Sequence, residues 1–405
     1  MSLSKNEKLL SDIARTTEEI FSLEQLRERL NTKKRLVIKF GADVTAPFLH
    51  LGHAVNLWIM RRFQEDGHKV IFLVGDFTTR IGDPTGRGDT RSKIDRDDID
   101  KNSKLFIEQI KSILITDDPE LFEVRKNSDW FDKMSVDKFI SLLSLTTHAR
   151  LISRDMFQKR IKEDNDIYTH ELIYPILQGY DSYELESDLT IVGSDQLFNE
   201  MMGKFYQEKF GQKPQTIITS KITPGLTGGP KQSKSLNNYV SIIDTPRDKY
   251  GKIMGLKDDL IVDWMKVYTQ MPMEEIEIQR KALENNLNPI ESKHVLAQSI
   301  VERYHGRESA QEEYEWFLKT FSKKDFPAEA PVVEVNEKQI NLFELIKTLK
   351  NDSSNSEIRT LISQNAISIN GEKVADGKKI INIPQDQFLE IKIGKRVFFK
   401  VKSKD

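Results

Sequence analysis

Two short apolar runs held apart by one amphipathic helix constrain this chain more than any other feature. "RLVIKFG", 35–41, reads as a buried strand ended by glycine, and "KVIFLVGDF" from Lys69 reads as another. Between them, in "LGHAVNLWIMRRFQEDG", Val55, Trp58, Ile59 and Phe63 recur at helical spacing and Gly67 supplies a C-terminal stop. Strand, helix, strand in this order is a βαβ unit, and so a parallel sheet. "LFEVRKN" near 121, "DLTIVGSD" from Asp188 and "QTIITSK" from Gln215 are further strand candidates, with helical patterns between them. Residues 1–228 are therefore expected to form a doubly wound α/β domain whose ligands sit beyond the carboxyl ends of the strands.

The rest of the 405 residues exceeds what a single core usually serves. Residues 229–321 begin with a glycine-rich loop and pass, from Pro246, into charged and apolar residues alternating at helical period, a helical domain. "SKKDFPAEAPVVEVNE", 322–337, breaks both periods and is expected to be a linker. Residues 338–405 form a small α+β module: the helical patterns "LFELIKTL" and "NSEIRTLISQN", a hairpin signal at Asn370-Gly371, and the closing strands of "FLEIKIGKRVFFKVK". That module has 13 Lys/Arg against 8 Asp/Glu, leaving 48 against 55 for the remainder. A basic tail on an acidic body leans toward a polyanionic partner. With 38% hydrophobic residues, no apolar run reaches the length of a bilayer span. The N-terminal "MSLSKNEKLLSDIARTTEEIF" mixes charges among its apolar positions, as an amphipathic helix does and an export signal does not. The absence of cysteine excludes disulfides and thiolate chemistry and suits a reducing cytoplasm, and seven scattered histidines give no protein-held metal motif.

Several clusters carry chemistry. "HLGH", His50 to His53, falls where the first strand passes into a helix, whose unpaired N–H groups favour phosphate; Gly52 lets a nucleotide lie close to the backbone. "GDFTTRIGDPTGRGDTR", 75–91, follows the second strand and offers Arg87 and Arg91 to an anion, or is a surface loop. In "YPILQGYDSYEL" the residues Tyr174, Gln178 and Asp181 share one helix face, either a binding wall or an exposed side. Asp195 in "VGSDQ" is able to accept from ribose hydroxyls, to cap the next helix, or both. "LTGGPKQSKSLNNY", 226–239, carries Lys231 and Lys234 on a glycine-rich turn.

HLGH and KQSKS, in that order on a βαβ scaffold, resemble the two signatures of class I aminoacyl-tRNA synthetases, usually HIGH and KMSKS. "GADVTAPFLHLGHAV", "GDFTTRIGDPTGR", "YPILQGYDS" and "VGSDQLFN" look like the bacterial tyrosyl-tRNA synthetases, and "SSNSEIRTLISQNAISINGEKV" is similar to their RNA-binding S4 domain. The resemblance implies a Rossmann-like catalytic domain that condenses tyrosine with ATP, Mg2+ travelling with the nucleotide, and then charges tRNA(Tyr), as a cytoplasmic homodimer. It implies phosphate binding by His50, His53, Lys231 and Lys234, with Arg87 and Arg91 on the facing loop. Asp83, Tyr174 and Gln178 would hold the tyrosine ammonium and Asp181 its phenol, Asp195 and Gln196 would meet the ribose and the tyrosine's polar end, and Asn127 matches a further substrate-side residue. Three positions depart from the pattern: Val44 in "DVT", Val192 where glycine is common, and Gln232 for methionine. Lys39 stands where one branch of the family places a tyrosine against the phenol. Tryptophanyl-tRNA synthetase shares the fold and both signatures, and a duplicated synthetase turned RNA-binding regulator is the alternative outside catalysis. The Gln-Gly-Tyr-Asp-Ser helix and the tail stand against the first, the retained His50, His53, Lys231 and Lys234 against the second.

Overall fold

A computed structural model of the protein describes residues 4–33, 35–44, 49–83, 96–233, 236–285, 288–322, 326–327, 329–394 and 397–404. It divides into two compact units, 1–306 and 307–405. Among the described residues no helix is long and apolar enough to cross a membrane.

The first unit opens with α1 (Lys5–Ala14), β1 (Thr17–Phe21) and α2 (Leu23–Thr32). The βαβ unit follows as β2 (Val37–Ala42), α3 (Leu51–Glu65) and β3 (Lys69–Val74), then α4 (Arg96–Ile110) and β4 (Phe122–Lys126). Short helices α5 (Ser128–Phe131), α6 (Val136–Ser144), α7 (His148–Ile152) and α8 (Asp155–Lys162) lead to the long α9 (Thr169–Glu184). β5 (Leu189–Gly193), α10 (Leu197–Lys209) and β6 (Thr216–Ser220) complete the sheet. Its order is β1-β6-β5-β2-β3-β4, parallel except for β1. The N-terminal segment is thus not one helix: after Ala14, "TEEIF" pairs antiparallel with β6 at the sheet edge, with Thr17 buried, Glu18 and Glu19 exposed, and Ile20 and Phe21 half-buried.

Connections run outward in both directions from the β2/β5 boundary, which is therefore the topological switch point. β2 pairs with β3 over six residues but with β5 only at Ile38↔Leu189 and Lys39↔Thr190. Beyond Lys39 the two strands part, and the crevice opens at their carboxyl ends. α9 and α10 close its far side; Gly179 lets them approach, since a Cβ there would lie 2.9 Å from the Met202 backbone. Helices α11 (Pro246–Met254), α12 (Ile261–Tyr268), α13 (Met273–Glu284) and α14 (Pro289–His305) belong to the same unit, with Trp264, Tyr250 and Ile300 buried among them. Arg15 ties the start of the chain to this helical part by donating to the carbonyls of Met265, Lys266 and Met271.

The second unit holds α15 (Arg307–Phe317), β7 (Val332–Val335), β8 (Gln339–Asn341), α16 (Leu342–Leu349), α17 (Asn355–Ser363), β9 (Ile367–Ile369), β10 (Glu372–Lys373), β11 (Ile380–Asn382), β12 (Leu389–Ile393) and β13 (Val397–Ser403). Its main sheet has the order β10-β9-β12-β13-β7, and Leu345, Ile346, Ile358, Ile391 and Val401 meet in its core. Asn370 and Gly371, at φ 46° and 84°, make the tight β9–β10 turn. Two expected boundaries shift. The stretch 322–337 is not wholly a linker, because "VVEV" pairs in parallel with β13, a partner too distant in sequence to be read from it. Residues 307–317, expected to end the helical domain, belong to the second unit.

Candidate active site

A cavity of about 510 Å³ occupies the switch-point crevice, within the range of small-molecule sites. One end is built on the first turn of α3. His50 is the N-cap: its Nδ1 accepts from the Gly52 N–H at 3.1 Å, and its own backbone N–H donates to His53 Nδ1 at 3.3 Å. The two rings lie 3.8 Å apart. With both Nδ1 atoms accepting, each neutral ring carries its proton on Nε2, so both present N–H donors beside the helix N-terminus. A Cβ on Gly52 would stand 3.0 Å from the His50 ring, so any larger residue would press that ring out of place.

Across the cavity, Lys231 Nζ pairs with Asp195 Oδ2 at 2.7 Å. Both groups are substantially solvated, so this pair contributes under about 1 kcal/mol and exchanges readily for a ligand. Asp195 follows Gly193, where a Cβ would sit 2.6 Å from Asp195 Oδ1. A side chain at Gly193 would thus displace the Asp195 carboxylate; Val192 lies in β5, in register with Thr219, and lines the cavity as an ordinary strand residue. Gln232 also lines it, packed beside Gly52 and bonded to Tyr268.

The inner end is polar and nearly dry. Asp181 is 3% exposed; Trp130 Nε1 donates to its Oδ1 at 3.0 Å and Asn127 Nδ2 to its Oδ2 at 3.3 Å. Burial pushes the Asp181 carboxyl up to about 8, against the pull of the Lys39 ammonium and the two donors, while Asp43 pushes the same way. Tyr174 Oη donates to Asp43 Oδ2 at 3.0 Å, and burial followed by the nearby Asp43 holds the phenol well above its ordinary value. Its oxygen therefore stays neutral and offers lone pairs to an ammonium.

Behind this wall Lys39, 1% exposed, donates to Ser182 Oγ at 2.7 Å and pairs with Glu200 at 2.8 Å. Gln178 Nε2 donates to Glu200 Oε1, Asn199 Nδ2 donates to both Gln178 Oε1 and Gln196 Oε1, and Gln196 Nε2 donates to Asp83 Oδ2. One hydrogen-bonded chain thus runs from Lys39 at the inner end to Asp83 at the mouth. A buried ion pair inside such a network fixes geometry more than it stabilises the fold.

The structure brings His50, Gly52, His53, Asp83, Tyr174, Gln178, Asp181, Asp195, Gln196 and Lys231 to this one cavity. Asn127 is different. It is 0% exposed and stands one layer behind the cavity, held by the Phe77 N–H and Thr78 as well as Asp181, so it supports the carboxylate instead of lining the pocket. Arg87, Arg91 and Lys234 lie outside the described residues. The motifs did not point to Asp43, Glu200 or Tyr268 as members of the site. The charged Lys39 inside an apolar strand was the one visible signal of the inner network. Among the described residues no group of three or more His, Asp or Glu side chains is placed to hold a metal ion.

Comparison with known proteins agrees with this architecture. Residues 31–322 match the family "tRNA synthetases class I (W and Y)", and residues 323–401 match "Tyrosine–tRNA ligase SYY-like C-terminal domain". The chain is 40% identical over 396 residues to the tyrosine–tRNA ligase of Thermotoga maritima, covering 98% of this chain and 97% of that one. It is 41% identical over 397 residues to that of Aquifex aeolicus, covering 98% and 99%. Among solved structures, the tyrosyl-tRNA synthetase of Archaeoglobus fulgidus complexed with L-tyrosine shares the fold at TM-score 0.59 and 20% identity, over 76% of this chain and all (100%) of that one. A C-terminally truncated mitochondrial tyrosyl-tRNA synthetase of Coccidioides posadasii does so at 0.60 and 21%, over 77% and 92%. With the class I domain and the tyrosine-specific tail both matched along nearly its whole length, the chain belongs to the tyrosyl-tRNA synthetase family.

Proposed function

We propose that this chain is a tyrosine–tRNA ligase: it activates tyrosine with ATP and transfers the tyrosyl group to tRNA(Tyr). The observation that carries the reading is the joining, in one cavity, of a phosphate-type end to a dry carboxylate-ended slot. HLGH and Lys231 form the first, and Asp181 forms the end of the second. Tyrosine's phenol donates to Asp181, and its ammonium lies among Asp83, Tyr174 and Gln178. Its carboxylate oxygen then bonds to the α-phosphorus of ATP while the bond to the bridging oxygen breaks and pyrophosphate departs. The enzyme supplies no nucleophile; it contributes positioning and charge.

His50 and His53 donate from Nε2 at the positive end of α3 to the phosphate oxygens, and Lys231 exchanges Asp195 for the departing pyrophosphate. Asp195 and Gln196 are thereby released toward the ribose and the amino acid. In the second step a hydroxyl of the tRNA's terminal adenosine attacks the tyrosyl carbonyl and AMP leaves. Arg87, Arg91 and Lys234 are assigned to the phosphates on the resemblance alone. Mg2+ travels with the triphosphate, whose oxygens are the hard ligands it favours. The S4-like second unit, basic in its last 68 residues, holds tRNA, and the enzyme works as a cytoplasmic homodimer.

Tyrosine-dependent exchange of labelled pyrophosphate into ATP tests the reading. Exchange with tyrosine and little with phenylalanine or tryptophan is expected; exchange that prefers tryptophan, or none with any amino acid, would overturn it.

A further inference from the structure

Gln232 replaces an apolar residue usual at the second position of the lysine loop, and its surroundings explain what the amide does. It is 4% exposed, so its polar atoms need partners. Oε1 accepts from the Val240 N–H at 3.2 Å and Nε2 donates to Tyr268 Oη at 2.8 Å. Nε2 also lies 3.9 Å from where a Cβ on Gly52 would sit. Each of these contacts leads to a different part of the site. Val240 O accepts from the Leu51 N–H in the first turn of α3, and Ser241 bridges to His50. Tyr268 is the last residue of α12; its carbonyl accepts from Arg303 on α14 at 3.0 Å, and its hydroxyl is 2.5 Å from Thr223 Oγ1. Thr223 precedes Pro224, which bridges to Lys231. A methionine would fill the volume but would offer Val240 no acceptor and Tyr268 no donor.

We propose that the Gln232 carboxamide, with the hydroxyls of Tyr268 and Thr223, is a positioning joint that holds the Lys231 backbone against HLGH and makes ATP placement depend on the end of α12. Tyr268 thereby becomes a positioning residue for adenylate formation although it lies outside both signature motifs. The inference rests on the ligase reading, because the joint acts through ATP. Its partners are neutral at any working pH: burial pushes the Tyr268 phenol up to about 12.

The test is a double-mutant cycle of Gln232→Met and Tyr268→Phe in the full chain, read by tyrosine-dependent pyrophosphate exchange, by direct tyrosine binding and by thermal midpoint. Each single variant is expected to raise KM for ATP about tenfold, the consequence of stranding one buried donor or acceptor. Tyrosine affinity is expected to stay within about twofold, and the double variant to be no worse than Gln232→Met alone, since both partners of the bond are then apolar. Unchanged ATP kinetics, multiplicative effects in the double variant, or parallel loss of tyrosine binding would each overturn the joint. If Gln232→Met fails to fold, Tyr268→Phe decides alone, since it removes one oxygen and keeps the ring. Lack of exchange by the unaltered chain would instead refute the ligase reading, so the two failures are distinguishable.

Discussion

Asp181→Asn separates two roles of one carboxyl, and the structure sets the size of both effects. Burial raises the folded-state value to about 8, against about 3.9 for an unfolded aspartate. A group that holds its proton more tightly when folded opposes folding as it ionises. The effect is nearly absent below pH 4, grows as pH rises, and is complete above about 8. From these values it amounts to roughly 1–2 kcal/mol at pH 5, roughly 4 at pH 7 and roughly 5 at pH 8.5. Asparagine escapes this cost but turns an NH2 toward a place where Trp130 and Asn127 already donate. One of those donors then loses its acceptor, at about 1–3 kcal/mol. The variant should therefore match the unaltered protein near pH 5 and exceed it by about 2–4 kcal/mol at pH 8.5. Urea unfolding of both proteins at pH 5, 7 and 8.5 measures the difference. Recognition moves the opposite way: with an acceptor oxygen replaced by an NH2 donor, the phenol loses its partner, and tyrosine-over-phenylalanine preference in pyrophosphate exchange should fall at least about tenfold. A stability difference flat across pH would refute the burial argument, and an undiminished preference for tyrosine would refute the assignment of Asp181 to the phenol.

Gly193→Ala places a methyl 2.6 Å from Asp195 Oδ1 and forces that carboxylate aside; KM for ATP should rise about tenfold while tyrosine affinity holds. Asn127→Ala removes one of two donors to Asp181 from behind the cavity, so KM for tyrosine should rise about tenfold with KM for ATP little changed. Equal shifts in both constants would instead mark a general loosening. Truncation after Ser322, which spares the 31–322 domain and removes β7 together with its partner β13, should leave adenylate formation intact. It should lower tRNA charging at least about tenfold and flatten its dependence on salt, checked by aminoacylation across a salt series.

Features built from neighbours in sequence were legible. β2, β3, β5 and β6 are short runs rich in apolar and β-branched residues, β4 alternates Phe122 and Val124 with charged residues, and α16, α17 and the Asn370-Gly371 turn carry complete local signals. β1 and β7 were not, because a strand of five or four residues becomes one only through its partner, and Ser220 and Val401 lie far along the chain. The site divides the same way. HLGH, Asp195 and the Tyr174/Gln178/Asp181 face stand at strand ends or on one helix, where spacing implies proximity. Glu200 facing Lys39, and Tyr268 facing Gln232, depend on how α10 and α12 pack, which periodicity does not encode. Asn127 was recognised as relevant but placed one layer too far forward, since residue type says nothing about depth.

The hydrogen-bonded chain from Lys39 through Glu200, Gln178, Asn199 and Gln196 to Asp83 has a consequence for anyone reshaping the slot to accept a larger side chain. Enlarging the inner end by trimming Asp181 alone would leave an ammonium and a carboxylate just beneath the new floor, locked to each other and to the mouth. Removing either partner strands the other in a dry place, and shifting either moves Gln178, Gln196 and Asp83 along the same chain. Libraries that vary Lys39 and Glu200 as one neutral pair, with Gln178 rebuilt beside them, should yield folded variants that single-site libraries miss.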